Sequence, residues 1–484
     1  MLREELVPKK EDSHLPTQCN EEFLKFHPLE KREVRGGFDG GAITSDAGGL
    51  LLREVEKRTG IIRQFAACFR DQRQAERIEH GVEELVAQRV YGLALGYEDL
   101  NDHDELRRDP LLGVLAEKAD PTGESRARQR DRGKALAGKS TLNRLELTAA
   151  EVKEGERYKK IRLDFAAVEQ LLGELFLQAH NAPPKQIILD LDSTDDPLHG
   201  NQEGRFFHGY YGCYCYLPLY IFSGEHLLCA RLRTADGDGA AGSVEELARL
   251  VKQLRQTWPE VRIIVRGDSC FCREELMAWC EANQVDFVVG LAKNDRLRAE
   301  IVAELAQAAE PYHQTGQAAR IFKEFTYQTH KSWARARRVV AKAEHLEKGA
   351  NPRFVVTSLP SSEWTAQALY EELYCARGEM ENRIKEQLML FADRTSTAYR
   401  RSHQIRLYFS SVAYLLMHAL RRLGLQGTEM AKAQGTTLRL KLLKIGALIR
   451  ITVRKVWVSM AEGYPYAERF RQVYARLQAV PLRA

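Results

Sequence analysis

Residues 186–192 read QIILDLD, and this run constrains the chain more than any other. Its apolar density is that of a buried strand. Yet Asp190 and Asp192 stand inside it, two apart, so both side chains face the same way. A carboxylate in such a run is costly unless it is paired or bound to a cation. A second apolar run, VRIIVRG (261–267), is followed at once by Asp268. Glycine before the acid leaves room for a ligand. Both acids therefore belong to strand ends, where open α/β sheets place their ligands. Two hard oxygen donors there suit Mg²⁺. Taken singly, each Asp equally suits a cap on a turn or helix start.

The surrounding pattern changes period. Residues 1–37 are polar and charged, a loose arm. From 45 to 118 the apolar spacing is helical, with Val82, Leu85, Val86, Val90 and Leu93 on one face. Residues 120–139 read as an exposed connection, and 163–179 as a further helix. The middle then predicts strands at 186–192, 210–222 and 226–235. After the glycine-rich loop DGDGAAG (236–242) comes a helix opened by Ser243 and boxed by Glu246. A strand at 261–267, a helix at 272–283 and a strand at 285–292 follow, giving the order β-β-β-α-β-α-β. Strand-like pieces at 320–327, 332–344 and 353–359 precede a long helix over 365–391.

That helix carries Tyr374, Arg377, Glu381 and Lys385 on one stripe, at i, i+3, i+7 and i+11. Leu373, Met380, Ile384 and Leu388 make an adjacent apolar stripe. Packing by the apolar stripe would set Glu381 at the rim of the sheet. A solvated face held by i,i+4 ion pairs fits the same spacing.

Asp on the first strand (DLDST), Asp after the fourth (RGDS) and Tyr-x₂-Arg-x₃-Glu on a late helix together resemble a DDE transposase. The chain is similar to bacterial insertion-sequence family thirteen-eighty, within the group bearing a Tyr-Arg-Glu-Lys signature. ITSDAGGLLL (43–52), GYEDLNDHDELRRDP (96–110), KSTLNRLE (139–146), DSTDDPLHGNQEG (192–204) and TLRLKLLKIGA (437–447) extend the likeness over about residues 35–465. The resemblance implies an α/β fold: a ribonuclease-H-like core, a mixed sheet with helices, interrupted by a β-rich insertion. A helical N-terminal domain and a basic C-terminal region flank it. The implied boundaries are 1–37 arm, 38–180 helical DNA-binding or dimerisation region, 181–295 first part of the core, 296–362 insertion, 363–395 core helix, and 396–484 basic region. Asp192, Asp268 and Glu381 become the catalytic, metal-holding acids; the small pair Ser193-Thr194 after Asp192 selects it over Asp190. Tyr374 and Arg377 match the signature. The group's lysine position falls on Leu388, which leaves Lys385, one turn after Glu381, as substitute.

The implied activity is cleavage at terminal inverted repeats and joining to target DNA by two-metal-ion phosphoryl transfer, with Mg²⁺, for which Mn²⁺ substitutes. The implied partners are double-stranded DNA and a second copy of the chain in the DNA complex, in the bacterial cytoplasm at the nucleoid. A transposase-derived DNA-binding protein without catalysis is the alternative; the presence of all three acids argues against it.

Charge is informative only locally. The net charge is +5, too small to mark a nucleic-acid binder by itself. But residues 396–455 hold twelve Lys/Arg against one acid, Glu429. Arg400, Arg401, Arg406, Arg421, Arg422, Arg439, Lys441, Lys444, Arg454 and Lys455 are therefore expected at DNA phosphates, or else along a solvated helical face. Trp333, Arg335 and Arg337 alternate along the run at 332–344. One strand face would present an aromatic ring between guanidiniums to a displaced base; a core Trp with a solvated basic edge is the other possibility.

Other functions are disfavoured. No run approaches the ~20 apolar residues of a membrane span, and the N-terminus lacks the apolar core of a secretory signal. The nine cysteines include C-x-C pairs at 213/215 and 270/272, not zinc-like spacing, and read as reduced core thiols. Residues 133–140 (GKALAGKS) fit the phosphate-loop pattern, but ESRARQRDR before them is too polar for the strand that motif requires.

Overall fold

The computed structural model describes residues 23–147, 160–394 and 396–483. Most of the expected polar arm thus lies outside the described residues. Its last part, Leu24–Leu29 and Arg32–Gly36, forms an antiparallel hairpin.

The largest sheet runs, in spatial order, His226–Arg231, Leu219–Ser223, Gln186–Ser193, Arg262–Gly267, Asp286–Leu291, Arg353–Thr357, Arg337–Leu346, Ala319–Tyr327. Gln186–Ser193, Arg262–Gly267 and Asp286–Leu291 are parallel to one another. The strands on either side are antiparallel. Parallel neighbours need crossovers, and the helices Ser243–Thr257 and Glu274–Ala282 lie within them. The fold is therefore mixed α/β with one large mixed sheet. The segment at 296–362 starts within the short helix Asp295–Ala299, continues with the helix Val302–Thr315, and adds three strands to that same sheet.

Several boundaries differ from expectation for local reasons. The run at 210–222 splits into Cys213–Tyr216 and Leu219–Ser223 around Leu217-Pro218. Proline has no N–H for a ladder, and the first piece pairs instead with Phe206–His208 and Asp196–Pro197. The helix at 243 has Gly242 as its cap, with φ 76°. Glu246 does not close a capping box; its buried carboxylate binds Arg231 at 2.7 Å and Arg249 at 3.0 Å.

Alternation along Gln186–Ser193 gives the sheet two different faces. Ile187, Leu189 and Leu191 pack beneath Leu247, Leu250, Leu276 and Met277 of the crossover helices. On the other face Ile264, Val288, Val340 and Val355 meet Leu369, Tyr370 and Leu373 of the late helical segment. Further along that segment, Met380 and Ile384 enter a second core, built on Arg400–Leu420 and the N-terminal helices Gly49–Thr59 and Val82–Leu95. One segment thus stitches the sheet to the helical body. Among the described residues no helix is long and apolar enough to cross a membrane.

Candidate active site

The register of the parallel pair sets the two aspartates side by side. Gly267 is opposite Leu191, so the next residues on the two strands, Asp268 and Asp192, are neighbours at the same sheet edge. Asp190, one register pair earlier, is opposite Arg266 and fully buried. The Arg266 guanidinium grips both Asp190 oxygens, one at 2.7 Å, and donates a third bond to the Leu373 carbonyl. Asp190 is thereby consumed in tying the strand to the late helix. Asp192 has no such partner on the neighbouring strand and meets Arg377 of the late helix instead.

The late helix is not uniform. Ala366–Ala368 passes into a π-helical stretch, Leu369–Tyr374, a 3₁₀ turn, Cys375–Arg377, and then the α-helix Gly378–Leu388. Widened turns of this kind re-aim the side chains that follow. Tyr374 comes down on the sheet edge: a Cβ added to Gly290 would lie 2.6 Å from its hydroxyl and 2.9 Å from the Ser269 nitrogen. The absent side chain at 290 is what admits the ring beside Asp268.

Arg377 joins the acids. Its guanidinium is 2.9 Å from Asp192 Oδ1 and 3.5 Å from Glu381 Oε1. Its Nε is buried without a hydrogen-bond partner. Burial pushes the Asp192 carboxyl up to about 6; Arg377 opposes the rise, while the charges of Asp268 and Glu381 add to it. Burial likewise raises the Tyr374 hydroxyl, with Arg377 opposing and Asp268 reinforcing. The three acids thus share one electrostatic neighbourhood. Among the described residues, however, no three His, Cys, Asp or Glu groups converge tightly enough to hold an ion as they stand. Asp268 accepts from the Cys270 N–H at 2.9 Å and so also caps the 3₁₀ turn after its strand. Lys385 is exposed one turn beyond Glu381.

Support around Asp192 comes from Ser193 and from two residues the sequence did not single out, Arg233 and Tyr211. The Ser193 hydroxyl donates to the Gly239 carbonyl at 2.8 Å and accepts from Arg233 at 2.7 Å. Tyr211 donates to the Ser193 carbonyl at 3.3 Å, its hydroxyl pushed up to about 12 by burial and then by Asp195 and Asp192. The loop at 236–242 beside a strand-end acid was the available signal for this shell.

Other expected DNA contacts are placed differently. Trp333 precedes the strand, which begins at Arg337, and it is 6% exposed in the core beneath the sheet. Arg337 is buried between Glu274 and Glu281, and Arg335 binds Glu281 at 2.7 Å. The alternating exposed face required for stacking a base is therefore absent there. In the basic region, Arg421 is buried against Glu386. Arg406 pairs with Glu146, Lys444 with Asp46, and Arg422 and Arg439 donate to backbone carbonyls. Arg401 lies over the Phe165 ring and donates to the Leu163 carbonyl. The exposed Arg400 receives a Glu203 carboxylate on its backbone N–H. Much of this charge holds the fold together. The phosphate-loop look-alike fails structurally: no strand precedes it, and Lys139 binds Asn101 and Asp104. The four C-x-C cysteines are free thiols.

The family model for the transposase DDE domain, group 1, matches residues 26–482. No curated protein matches the chain. Among solved structures, the cryo-EM structure of piggyBac transposase in a synaptic complex with hairpin DNA is similar at a TM-score of 0.38 and 12% identity, covering 83% of this chain and 80% of that one. With nearly its whole length matched by that model, and with the acids of the Asp-Asp-Glu pattern in one neighbourhood, this chain belongs to the group 1 family of DDE-domain transposases.

Proposed function

We propose that this transposase cuts DNA at the terminal inverted repeats of an insertion sequence and joins the ends to target DNA, with Asp192, Asp268 and Glu381 as its catalytic acids. The observation that carries the reading is the pairing of Asp192 and Asp268 on adjacent parallel strand ends, with Glu381 brought to them through Arg377. The spatial order of the five strands from His226–Arg231 to Asp286–Leu291, parallel from the Asp192 strand onward, supports a ribonuclease-H-like core. The acids supply the hard oxygen donors that Mg²⁺ prefers. Burial raises the Asp192 carboxyl, with Asp268 and Glu381 adding to the rise against Arg377, and a bound cation would favour its charged form. When held by these acids, Mg²⁺ supplies charge stabilisation at the reacting phosphate oxygens.

The chain's own groups do the rest. Arg377 has a buried, unpartnered Nε, and a guanidinium matches phosphate geometry. Tyr374, wedged over Gly290, fixes the approach of the strand to Asp268. Double-stranded DNA is the substrate, bound by two copies of the chain acting on two ends, and the helical N-terminal third recognises the repeats. This set of motifs fits bacterial insertion-sequence family thirteen-eighty.

The test is cleavage and joining of terminal-repeat DNA in Mg²⁺. Wild type should cut and join; Asp192→Asn, Asp268→Asn and Glu381→Gln should each lose cleavage by ~10³-fold or more while still binding the repeat. Full cleavage by any one variant would remove that acid from the site. Binding without cleavage by wild type would favour the non-catalytic alternative.

A further inference from the structure

Much of the basic region is engaged internally, but one hairpin carries three exposed cations, Arg450, Arg454 and Lys455. Ala447–Ile451 and Val456–Met460 form an antiparallel ribbon, and Ile43–Thr44 pairs alongside as a third strand. One face of the ribbon is anchored: Ala447 and Ile449 are buried in the helical core, and the Ile449 N–H donates to the Ala42 carbonyl. Among the described residues the opposite face has no cover. Register places Arg450 beside Trp457 and Leu448 beside both Ser459 and Ile43. Ile43, Leu448 and Trp457 are all exposed.

Cations frame that face. The Arg450 guanidinium lies 5.8 Å and the Lys455 ammonium 5.3 Å from the centre of the Trp457 ring. Arg454 and the fully exposed Val453 form the tip. Among the described residues, Arg450, Arg454 and Lys455 have no acidic partner within ion-pair distance. No acid occurs between Glu429 and Glu462 in the sequence. A protein partner or a second copy would have to bring its own acids to this face; DNA carries a phosphate every ~1.7 Å along its axis. The major groove admits a two-stranded ribbon.

We propose that this ribbon is a double-stranded DNA-docking element, in which Arg450, Arg454 and Lys455 meet phosphates and Trp457 packs against the duplex between them. It rests on the reading of DNA as this chain's substrate, and it assigns a specific surface to that substrate. It differs from a generally basic tail because it confines the contacts to one rigid, anchored hairpin.

The experiment is binding of a labelled terminal-repeat duplex by fluorescence anisotropy over a salt series, without divalent metal, so that catalysis plays no part. Replacing Arg450, Arg454 and Lys455 together by Gln should reduce the slope of log affinity against log salt by about 2–3, at ~0.9 per phosphate contact. Trp457→Ala should weaken binding about fivefold or more, and Trp457→Phe should restore most of it. All four side chains are exposed, so the thermal midpoint should not move, which separates lost contact from lost fold. An unchanged salt slope in the triple variant overturns the proposal, as does a change in self-association with DNA affinity intact. If wild type cleaves repeat ends while the triple variant keeps the wild-type slope, the ribbon assignment falls and the transposase reading stands. If the ribbon variants lose slope but no chain cleaves, the reverse holds.

Discussion

The Arg377 guanidinium lies 2.9 Å from the Asp192 carboxylate and reaches Glu381, one helical turn on, at 3.5 Å. A single cation thus holds two of the three acids on elements almost two hundred residues apart in sequence. Its charge opposes a rise in the Asp192 pKa that burial drives to about 6. Metal ligands must be deprotonated to bind. Mn²⁺ affinity should therefore fall as pH drops below about 6 in the wild type. In Arg377→Gln the opposing charge is gone, so the fall should begin at a higher pH. Proton relaxation of bound Mn²⁺ across a pH series measures this; superimposable profiles for the two proteins would show that Arg377 does not tune Asp192.

Gly290 illustrates how a missing side chain builds a site. Its added Cβ would meet the Tyr374 hydroxyl at 2.6 Å and the Ser269 nitrogen at 2.9 Å, with the Asp268 carbonyl carbon at 3.2 Å. Gly290→Ala should push the ring and the Asp268 turn apart. Overpacking of this kind costs ~1–3 kcal/mol of stability. Cleavage should fall further, by about tenfold to a hundredfold, because small displacements near reacting groups are costly. Denaturation midpoints and cleavage rates measured together decide it. Wild-type cleavage by this variant would mean Tyr374 does not position the Asp268 strand end.

The Arg421–Glu386 pair makes the opposite kind of prediction, one of stability alone. Both side chains are completely buried, and Arg383 reaches the same carboxylate at 3.1 Å. Glu386→Gln leaves the buried Arg421 with only the more distant Glu225, 4.0 Å away, as counter-ion, and loss of its close buried partner costs ~3–5 kcal/mol. Replacing both residues by apolar ones, Arg421→Met with Glu386→Leu, should recover much of that loss. Chemical denaturation of the single and double variants checks it; an equal loss in both would show that packing, not the unpaired charge, sets the cost.

The two aspartates proposed as catalytic were legible because they break a rule. Asp192 and Asp268 interrupt apolar strands, and only a paired or cation-binding role makes that tolerable. The sequence left the choice between Asp190 and Asp192 to resemblance alone; Arg266, on the neighbouring strand, consumes the former. Trp333 misled because its alternation with Arg335 and Arg337 presupposes that the strand already runs through it. Instead Thr329 turns the chain there, its hydroxyl oxygen accepting from the Ser332 and Trp333 N–H groups, and the ladder begins only at Arg337. Charge density misled in the basic region for a different reason. Composition counts Arg421 and Arg439 as cations for DNA, but only packing reveals Glu386 and the Ala94 carbonyl waiting for them. Trp457, in a short ribbon with weak periodicity, became visible only once strand pairing showed which face was uncovered.

Asp196 offers a test of fold stability against pH. It sits where Asp196–Pro197 pairs with Cys213–Tyr216, and its Oδ1 is buried with no hydrogen-bond partner. Burial pushes its carboxyl up to about 8, with Asp393 and Asp195 adding to the rise. The folded chain therefore keeps this proton over a range in which the unfolded chain, near ~3.9, has released it. Its contribution to stability is complete below the unfolded pKa and is lost as pH rises toward about 8. Asp196→Asn removes that dependence. The variant should gain on the wild type by up to ~1.4 kcal/mol per pH unit between about 4 and about 8, and the gap should stay constant above that. Urea unfolding of both proteins through this range measures the gap. Parallel stability curves would mean that Asp196 ionises as freely in the folded chain as in the unfolded one.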